Sequence, residues 1–446
     1  MNAKWLNLLL VAVPATVVVW FLDHGSQGHL TGAIFALALV SLIPLARLIG
    51  TFTSRIERYV GDRLGGLLGA SFGNAPELAI GIALLIHAHL HVADTPVREA
   101  DFNVIRGLVI GSVINNILFV LGSSIFVAAL RNGRMRFSAG SAAGYASMLA
   151  LAVVGLALPT LATSLAGEKS EDAQVSVSIA FGVILIFSYV AYIAATVFNV
   201  GARGHGGEAA GKEHGETHGG THGETHGRAS HETGERKPAI TIDGAAVLAD
   251  DPRNVTEAEK LLRAEERDED RKERADREWR RALRRENPSA LWLALLGLAG
   301  VTAAIVLVAV ILVGVTDNII ADTPLTPLSV GLIIFPIVCN LGEQVGAVVS
   351  AWQNRMESAM AVAAGSSVQV ALFVTPVLVL ASLPISLGEP SLVLTMVFPA
   401  LELIVLGLVS FVYALVSLDG ETTWLEGLQL LAFYAMVAAV AFILPG

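Results

Sequence analysis

Cysteine is almost absent. Cys339 is the one thiol among 446 residues, which excludes an intrachain disulfide and a cysteine-built zinc site. Charge is scarce too, at 15% Asp, Glu, Lys and Arg, and much of it is concentrated in one stretch. The net charge of -10 therefore says little about the rest of the chain. No His-Glu-x-x-His string occurs and no histidine falls in the central apolar segments, which argues against a membrane-embedded metallohydrolase. No Gly-rich loop ends in Lys-Ser/Thr, so a nucleotide is not the expected energy source. The short apolar/polar alternation of a transmembrane β-barrel is missing as well. Where basic residues do gather, acidic ones are interleaved and no aromatic platform accompanies them, so nucleic acid is not an expected partner.

What remains is apolar. Hydrophobic residues make up 54% of the chain and the mean hydropathy is +0.65. They fall in runs of about twenty, the length that crosses a ~30 Å hydrocarbon layer as a helix. The expected fold class is therefore an all-α multi-pass membrane protein. Eleven spans are expected, at 5–22, 29–49, 67–88, 105–130, 139–165, 175–199, 290–314, 328–351, 357–382, 391–417 and 423–444. The first follows a weakly charged start and lacks a small-residue cleavage site, so it reads as a retained helix rather than a signal peptide.

A polar insert, 203–288, divides the chain. The expected domains are an extra N-terminal helix (1–28), a first five-helix repeat (29–202), the insert, and a second five-helix repeat (289–446). If the insert is cytoplasmic, so are the connections carrying Arg47, Arg55, Arg58 and Arg63, then Arg131, Arg134 and Arg136, then Arg355. The opposite face then receives Glu168, Glu171, Asp172, Asp317 and Asp322, which satisfies the positive-inside rule with Arg98 as the main exception. Two blocks of five spans joined through a cytoplasmic linker must run in opposite orientations, which is an inverted repeat.

Within the insert, residues 203–236 are rich in Gly, His, Glu and Thr and too poor in apolar groups to fold alone. A solvated linker is expected there, with weak metal binding by the spaced imidazoles as the lesser reading. Residues 254–286 carry both charge signs at helix-compatible spacing, as in Glu259 and Arg263, and read as a solvated helix ending in Arg280, Arg281, Arg284 and Arg285 at the lipid surface.

Two polar strings interrupt the apolar segments. Phe72-Gly73-Asn74-Ala75-Pro76-Glu77 and Val338-Cys339-Asn340-Leu341-Gly342-Glu343 share an Asn-x-x-Glu core 266 positions apart. Ionisable groups at membrane depth are expensive and usually mark an ion path. Amide and carboxylate three residues apart share a helical face, and Pro76 and Gly342 mark places where each helix bends or breaks. Carboxylates, amides and freed carbonyls form an all-oxygen set that suits a hard cation such as Ca²⁺. A carboxylate removed from water favours its protonated form, whereas a bound cation drives the proton off, so the two compete and exchange can follow. Downstream, Gly111-Ser112-Val113-Ile114-Asn115 echoes Gly365-Ser366-Ser367-Val368-Gln369. Gly111, Gly122 and Gly365 read as packing positions rather than ligands. Glu402 reads equally as a second proton relay or a structural hydrogen-bonding group, and His87, His89 and His91 with Asp94 as an exposed polar connection, with a cation-attracting vestibule as the lesser reading.

The stretch from Gly65 to Leu78 resembles the first signature of the calcium/proton (cation/proton) exchangers, the CAX branch of the cation/calcium exchanger superfamily. Asn340 to Glu343, Ala351 to Met356 and Gly365 to Val374 resemble the second repeat, and Asp419 to Gly427 the last connection. The resemblance covers nearly every span outside the insert. It implies eleven spans in two inverted five-helix repeats and a Ca²⁺/H⁺ antiporter working by alternating access, with Na⁺/H⁺ or Mn²⁺/H⁺ exchange, or a cation channel, as alternatives. It makes Glu77 and Glu343 the cation ligands and proton carriers, Asn74 and Asn340 their companions, and Ser112, Asn116, Ser366 and Gln369 the partner-helix positions. Ca²⁺ or a related cation and protons are the expected substrates, the bilayer is the expected partner, and no resident cofactor is expected. A cell (inner) membrane follows if the source is prokaryotic. Gln344 stands where the family usually has a histidine after the glutamate, removing a group that titrates near neutral pH. Cys339, Leu341 and Gly342 replace the usual Gly-Ala-Ala, and the insert is not the purely acidic helix often found there.

Restoring the imidazole, Gln344→His, is expected to shift the pH profile or ion preference of vesicle flux. An unchanged profile and preference rule out that account of the departure.

Overall fold

Lipid tails offer no hydrogen bonds, so long apolar segments close their backbone groups internally as helices. A computed structural model of the chain describes residues 9–23, 30–60, 72–165, 171–196, 240–242, 245–247 and 288–443. Contacts divide the chain into two units, Met1–Val200 with Ser289–Gly446, and Gly201–Pro288. In the second unit the described residues form an antiparallel hairpin, β2 (Ile240–Ile242) and β3 (Ala245–Val247), with Ile240 opposite Val247. The His-rich stretch 203–236 and the mixed-charge stretch 254–286 lie outside the described residues, as do residues 65–71 of the first signature.

The first unit begins with α1 (Ala12–Asp23), α2 (Thr31–Val60) and α3 (Ala75–Leu90). Then α4 (Thr95–Ile114) runs through a π-helical stretch, Asn115–Leu121, into α5 (Gly122–Asn132). After β1 (Met135–Arg136) come α6 (Ala139–Leu165) and α7 (Glu171–Thr196). The chain resumes with α8 (Pro288–Asp322), then α9 (Pro327–Ser329), a π-helical stretch, Val330–Ile334, and α10 (Phe335–Cys339). Next are α11 (Leu341–Trp352) and α12 (Met356–Gln369), which continues through π-helical Val370–Val374 into α13 (Thr375–Ile385). The unit ends with α14 (Ala400–Val416), β4 (Glu421–Thr422) and α15 (Trp424–Ile443).

Each expected span has a helical counterpart, with differences. Seven helical segments are long and apolar enough to cross a membrane, one more pair is bent by 54° at Asn340, and three apolar helices are shorter: Leu9–Asp23, Ala75–Leu90 and Ala400–Val416. The span expected at 391–417 is shortened because Thr395 to Pro399 do not join a helix. There the amides of Met396 and Phe398 bond Ser178 and Thr160 hydroxyls instead, at 2.8 and 2.9 Å.

Burial separates centre from periphery. The segments Thr95–Asn132 and Met356–Ile385 are 72% and 61% buried, against 22% for Glu171–Ala195. The outer helices turn Phe187, Trp292, Leu293, Ile404 and Phe411 outward, as a lipid-facing surface requires. The two buried segments are those carrying the paired Gly-Ser strings.

Close approach explains two of the three glycines. A Cβ on Gly111 would meet the backbone carbonyl of Leu332, and one on Gly122 would lie 2.9 Å from Leu430 Cβ. Gly365 is not tight, since its nearest neighbour would be Tyr145 Cε1 at 3.7 Å. Gly331 answers Gly107 and Gly111 from the facing strand of helix, with Val104 O at 2.6 Å from its added Cβ. At one end of the unit, β1 pairs with β4, and Arg136 and Arg134 reach Glu421 at 3.0 and 3.4 Å.

Gly331→Ala is expected to lower the melting temperature of the detergent-solubilised protein, with a cost of about 1–3 kcal/mol from overpacking against backbone. Gly144→Ala, at a position with open space, serves as the comparison and is expected to leave it within a degree or so.

Candidate functional site

Both asparagines sit where a helix is interrupted. Asn74 (φ −97°, ψ 26°) precedes α3, and Asn340 (φ −88°, ψ 3°) ends α10 and precedes α11. The break therefore falls at the asparagine, ahead of Pro76 and Gly342. Pro76 is the second residue of α3, where a helix needs no N–H from it, so it starts the helix instead of kinking it. Each glutamate is then the third residue of its helix, Glu77 on α3 and Glu343 on α11, at the N-terminal end where the peptide dipoles favour a carboxylate.

Neither asparagine caps its helix, which leaves both amides for other partners. Those partners come from the opposite half of the chain. Ser366 Oγ donates to Asn74 Oδ1 at 3.2 Å, and Asn340 Nδ2 donates to Ser112 Oγ at 3.4 Å as well as to Pro336 O at 2.9 Å. Asn116 Nδ2 also donates to Ser366 Oγ, at 3.0 Å. Glu343 enters the first string itself, its Oε1 lying 3.5 Å from where a Cβ on Gly73 would stand. Glu77 and Glu343 are in direct electrostatic reach of one another. Glu77, Asn74 and Asn340 are each 1% exposed, and Ser112 and Asn116 are fully buried.

A cavity reaches the site. It has a volume of about 1170 Å³ and is lined by Glu343, Ser366, Gln369 and Gly73, and also by Tyr145 and Tyr192. Glu77, Asn74, Asn116 and Asn340 lie behind that lining. Gln344 does not line the cavity, although its neighbours Glu343 and Val345 do. Of the nine residues singled out from the sequence, the structure thus gathers eight and leaves Gln344 aside.

Most of those side chains keep an unused polar atom. Glu77 Oε2, Glu343 Oε2, Asn116 Oδ1 and Asn340 Oδ1 are buried without a hydrogen-bond partner, as are Asn74 Nδ2 and Gln369 Nε2. Asn115 adds a further unpartnered oxygen, Oδ1, and was missed. The signal for it was present: in the paired Gly-Ser strings, Asn115 stands opposite Gln369. Arg106 was missed as well. It donates to Thr395 Oγ1 at 3.1 Å and Asn103 Oδ1 at 3.2 Å, and it interacts with the buried Glu402, which joins a charge pair rather than the glutamate site. Buried oxygens without donors are costly, and those of the two glutamates with their asparagine companions describe a place for a positive charge. Among the described residues no three His, Cys, Asp or Glu side chains gather as a metal cage, so amides and carbonyls would have to complete any cation shell around the two carboxylates.

The family described as "Sodium/calcium exchanger protein" matches residues 30–198 and 293–443, leaving out the polar insert. A Synechocystis protein named Ca(2+)/H(+) antiporter is 30% identical over 444 residues, covering 100% of this chain and 98% of its own length. A Schizosaccharomyces pombe protein named vacuolar calcium ion transporter is 28% identical over 445 residues, covering 99% and 86%. The solved structure of native YfkE superimposes with a TM-score of 0.67 at 23% identity, over 98% of this chain and 99% of that one, a likeness of fold.

Ser366→Ala removes the hydroxyl that joins Asn74 to Asn116. It is expected to weaken divalent-cation binding about tenfold, two buried hydrogen bonds being worth ~0.5–1.5 kcal/mol each. Calorimetric titration in detergent measures this. Ser367→Ala, whose hydroxyl bonds Ala363 O on its own helix at 2.9 Å, is expected to change affinity far less.

Proposed function

The chain belongs to the sodium/calcium exchanger protein family, and from that premise we propose that it is a secondary antiporter exchanging Ca²⁺ for protons across a membrane. The observation that carries the reading is the set of unpartnered oxygens around Glu77 and Glu343, two carboxylates of like charge held close in a buried place. Two such groups both ionised repel one another. A divalent cation between them removes the repulsion and supplies the missing partner of the surrounding amide oxygens. Protons on the carboxylates remove it too. The two loads exclude each other, and a site comfortable with either but not with neither can cross between faces only when loaded.

The relatives' names support Ca²⁺ as the cargo, and the oxygen-only donor set supports a hard cation over a soft one. We read the two blocks of helices as inverted repeats, each offering one Asn-x-x-Glu string and one Gly-Ser string that runs on into a π-helical stretch. The cavity is lined by the C-terminal half of α2, the start of α6, the end of α7, the first half of α11 and the later part of α12. Arg47 is in that lining, Arg55 and Arg58 follow it on α2, and Arg131, Arg134 and Arg136 precede α6, so the positive-inside rule supports a cytoplasmic mouth and a cytoplasmic insert. Ca²⁺ leaving a prokaryotic cytoplasm through the cell membrane would then meet Glu343 first.

In sealed proteoliposomes with an imposed pH gradient, Ca²⁺ uptake should fall more than about 100-fold in Glu77→Gln and in Glu343→Gln. Even the outer partners of metal ligands are worth ~10–100-fold. Gel filtration establishes that each variant stays folded. Full exchange in either variant sinks the assignment, and current without proton counterflow would indicate a channel. Screening Ca²⁺, Mn²⁺, Na⁺ and K⁺ in the same vesicles identifies the cargo. Raising the proton concentration on the Ca²⁺-loading side should slow uptake, because both ions seek the same oxygens.

A further inference from the structure

The far end of α3 from Glu77 carries His87, whose Nδ1 faces carboxylates from two other helices. Nδ1 is 2.9 Å from Asp101 Oδ2 on α4 and 3.9 Å from Asp317 Oδ2 on α8. The sequence suggests an exposed polar connection here. Instead the side chain of Asp101 is only 3% exposed and that of His87 only 16%. A carboxylate so withdrawn from water needs a partner, and His87 supplies it. One turn along α3, His91 packs its ring against that of His87 with centroids 4.2 Å apart, and its Nδ1 is 3.0 Å from His87 O. Asp94, in the connection to α4, accepts from Val97 N and adds a negative charge near Asp317. Arg98 is turned to Val92 O at 3.2 Å. Among the described residues no three His, Cys, Asp or Glu groups are arranged to hold a metal ion, so the contact reads as an ionic tie.

Its position in the duplicated architecture gives that tie a meaning. Three walls of the cavity are α2, α11 and α12. Their counterparts in the other half, by element order and by the paired strings, are α8, α3 and α4. Those are the three helices joined by Asp317, His87 and Asp101. A matching cavity on the opposite face would open between them.

We propose that His87, Asp101 and Asp317 form the latch of the second gate, which must part before the paired glutamates can face the side away from the present cavity. The proposal rests on the exchange reading above. With the ring protonated, Nδ1–H bonds Asp101 while the positive charge of the imidazolium also attracts Asp317, and three helix ends are tied. With the ring neutral, one hydrogen bond remains, and Asp101 and Asp317 face each other across it. Histidine ordinarily makes that change between about pH 5 and 8. Protons arriving on that side therefore load the glutamates and close the passage behind them, and a low proton concentration frees it. The three residues position the gate and touch neither cargo.

Val313 is 2% exposed and lies four residues before Asp317, one turn deeper on the same face of α8. In Val313→Cys, a membrane-impermeant maleimide applied to that face should label about fivefold faster at about pH 8.5 than at about pH 5.5, the factor that ~1 kcal/mol provides. Rates are divided by those of Leu90→Cys, a position on the same face that is 71% exposed, which removes the thiol's own pH dependence. Adding His87→Gln should make labelling fast at both pH values, and Asp317→Asn should raise the acid rate. The latter variant carries the test if the former does not fold. Equal normalised rates at both pH values, or rates indifferent to both substitutions, overturn the latch. Repeating the measurement in Glu77→Gln separates the two readings. Surviving exchange there removes the transport assignment, whereas the pH response of labelling reports on the latch alone.

Discussion

An oxygen atom that has lost water and found no donor is the constraint around which this unit is organised. Five such atoms, from Glu77, Glu343, Asn115, Asn116 and Asn340, are buried without a hydrogen-bond partner. Around the Asn115–Asn116 pair the core is aliphatic: Ile110, Val113, Ile114, Ile117 and Leu118 are all under 5% exposed. The arrangement of such oxygens is tolerable only as a place for something positive. The helix interruptions, the glycine contacts and the buried serines follow from the need to bring them together.

Neither half of the chain can build the site alone. Asn74 of the first half depends on Ser366 of the second, and Asn340 of the second depends on Ser112 of the first. The reciprocity is close but not complete, since Asn116 also bonds Ser366 and the residue matching it in the second half, Val370, has no polar group. The glycine pairs Gly107 and Gly111 against Gly331 set how closely the two halves approach. They allow backbone to meet backbone where any side chain would hold the serines and asparagines out of hydrogen-bond range.

Much of this was legible in the sequence because the chemistry is discontinuous there. Asn-x-x-Glu inside an apolar run contradicts its surroundings twice, at a constant offset, and the family signatures extend that contradiction over the whole chain. Periodicity and length gave the helices. The place of the break was harder to read. Proline and glycine draw attention, yet the backbone departs from the helix one or two residues earlier, at the asparagine, and proline then serves as an ordinary early helix residue. The π-helical stretches Asn115–Leu121 and Val370–Val374 leave no compositional mark, because adding one residue to a turn changes neither hydropathy nor length. The link between His87, Asp101 and Asp317 was invisible for a different reason. It joins residues separated by 14 and 230 positions on three helices, and such proximity exists only after folding.

The cavity wets one carboxylate and leaves its companion dry, and that imposes an order in time. An arriving ion can greet Glu343 while still wearing most of its hydration shell, but it can reach Glu77 only by trading the last waters for amide and carbonyl oxygens. Departure must reverse the queue or leave by the other door.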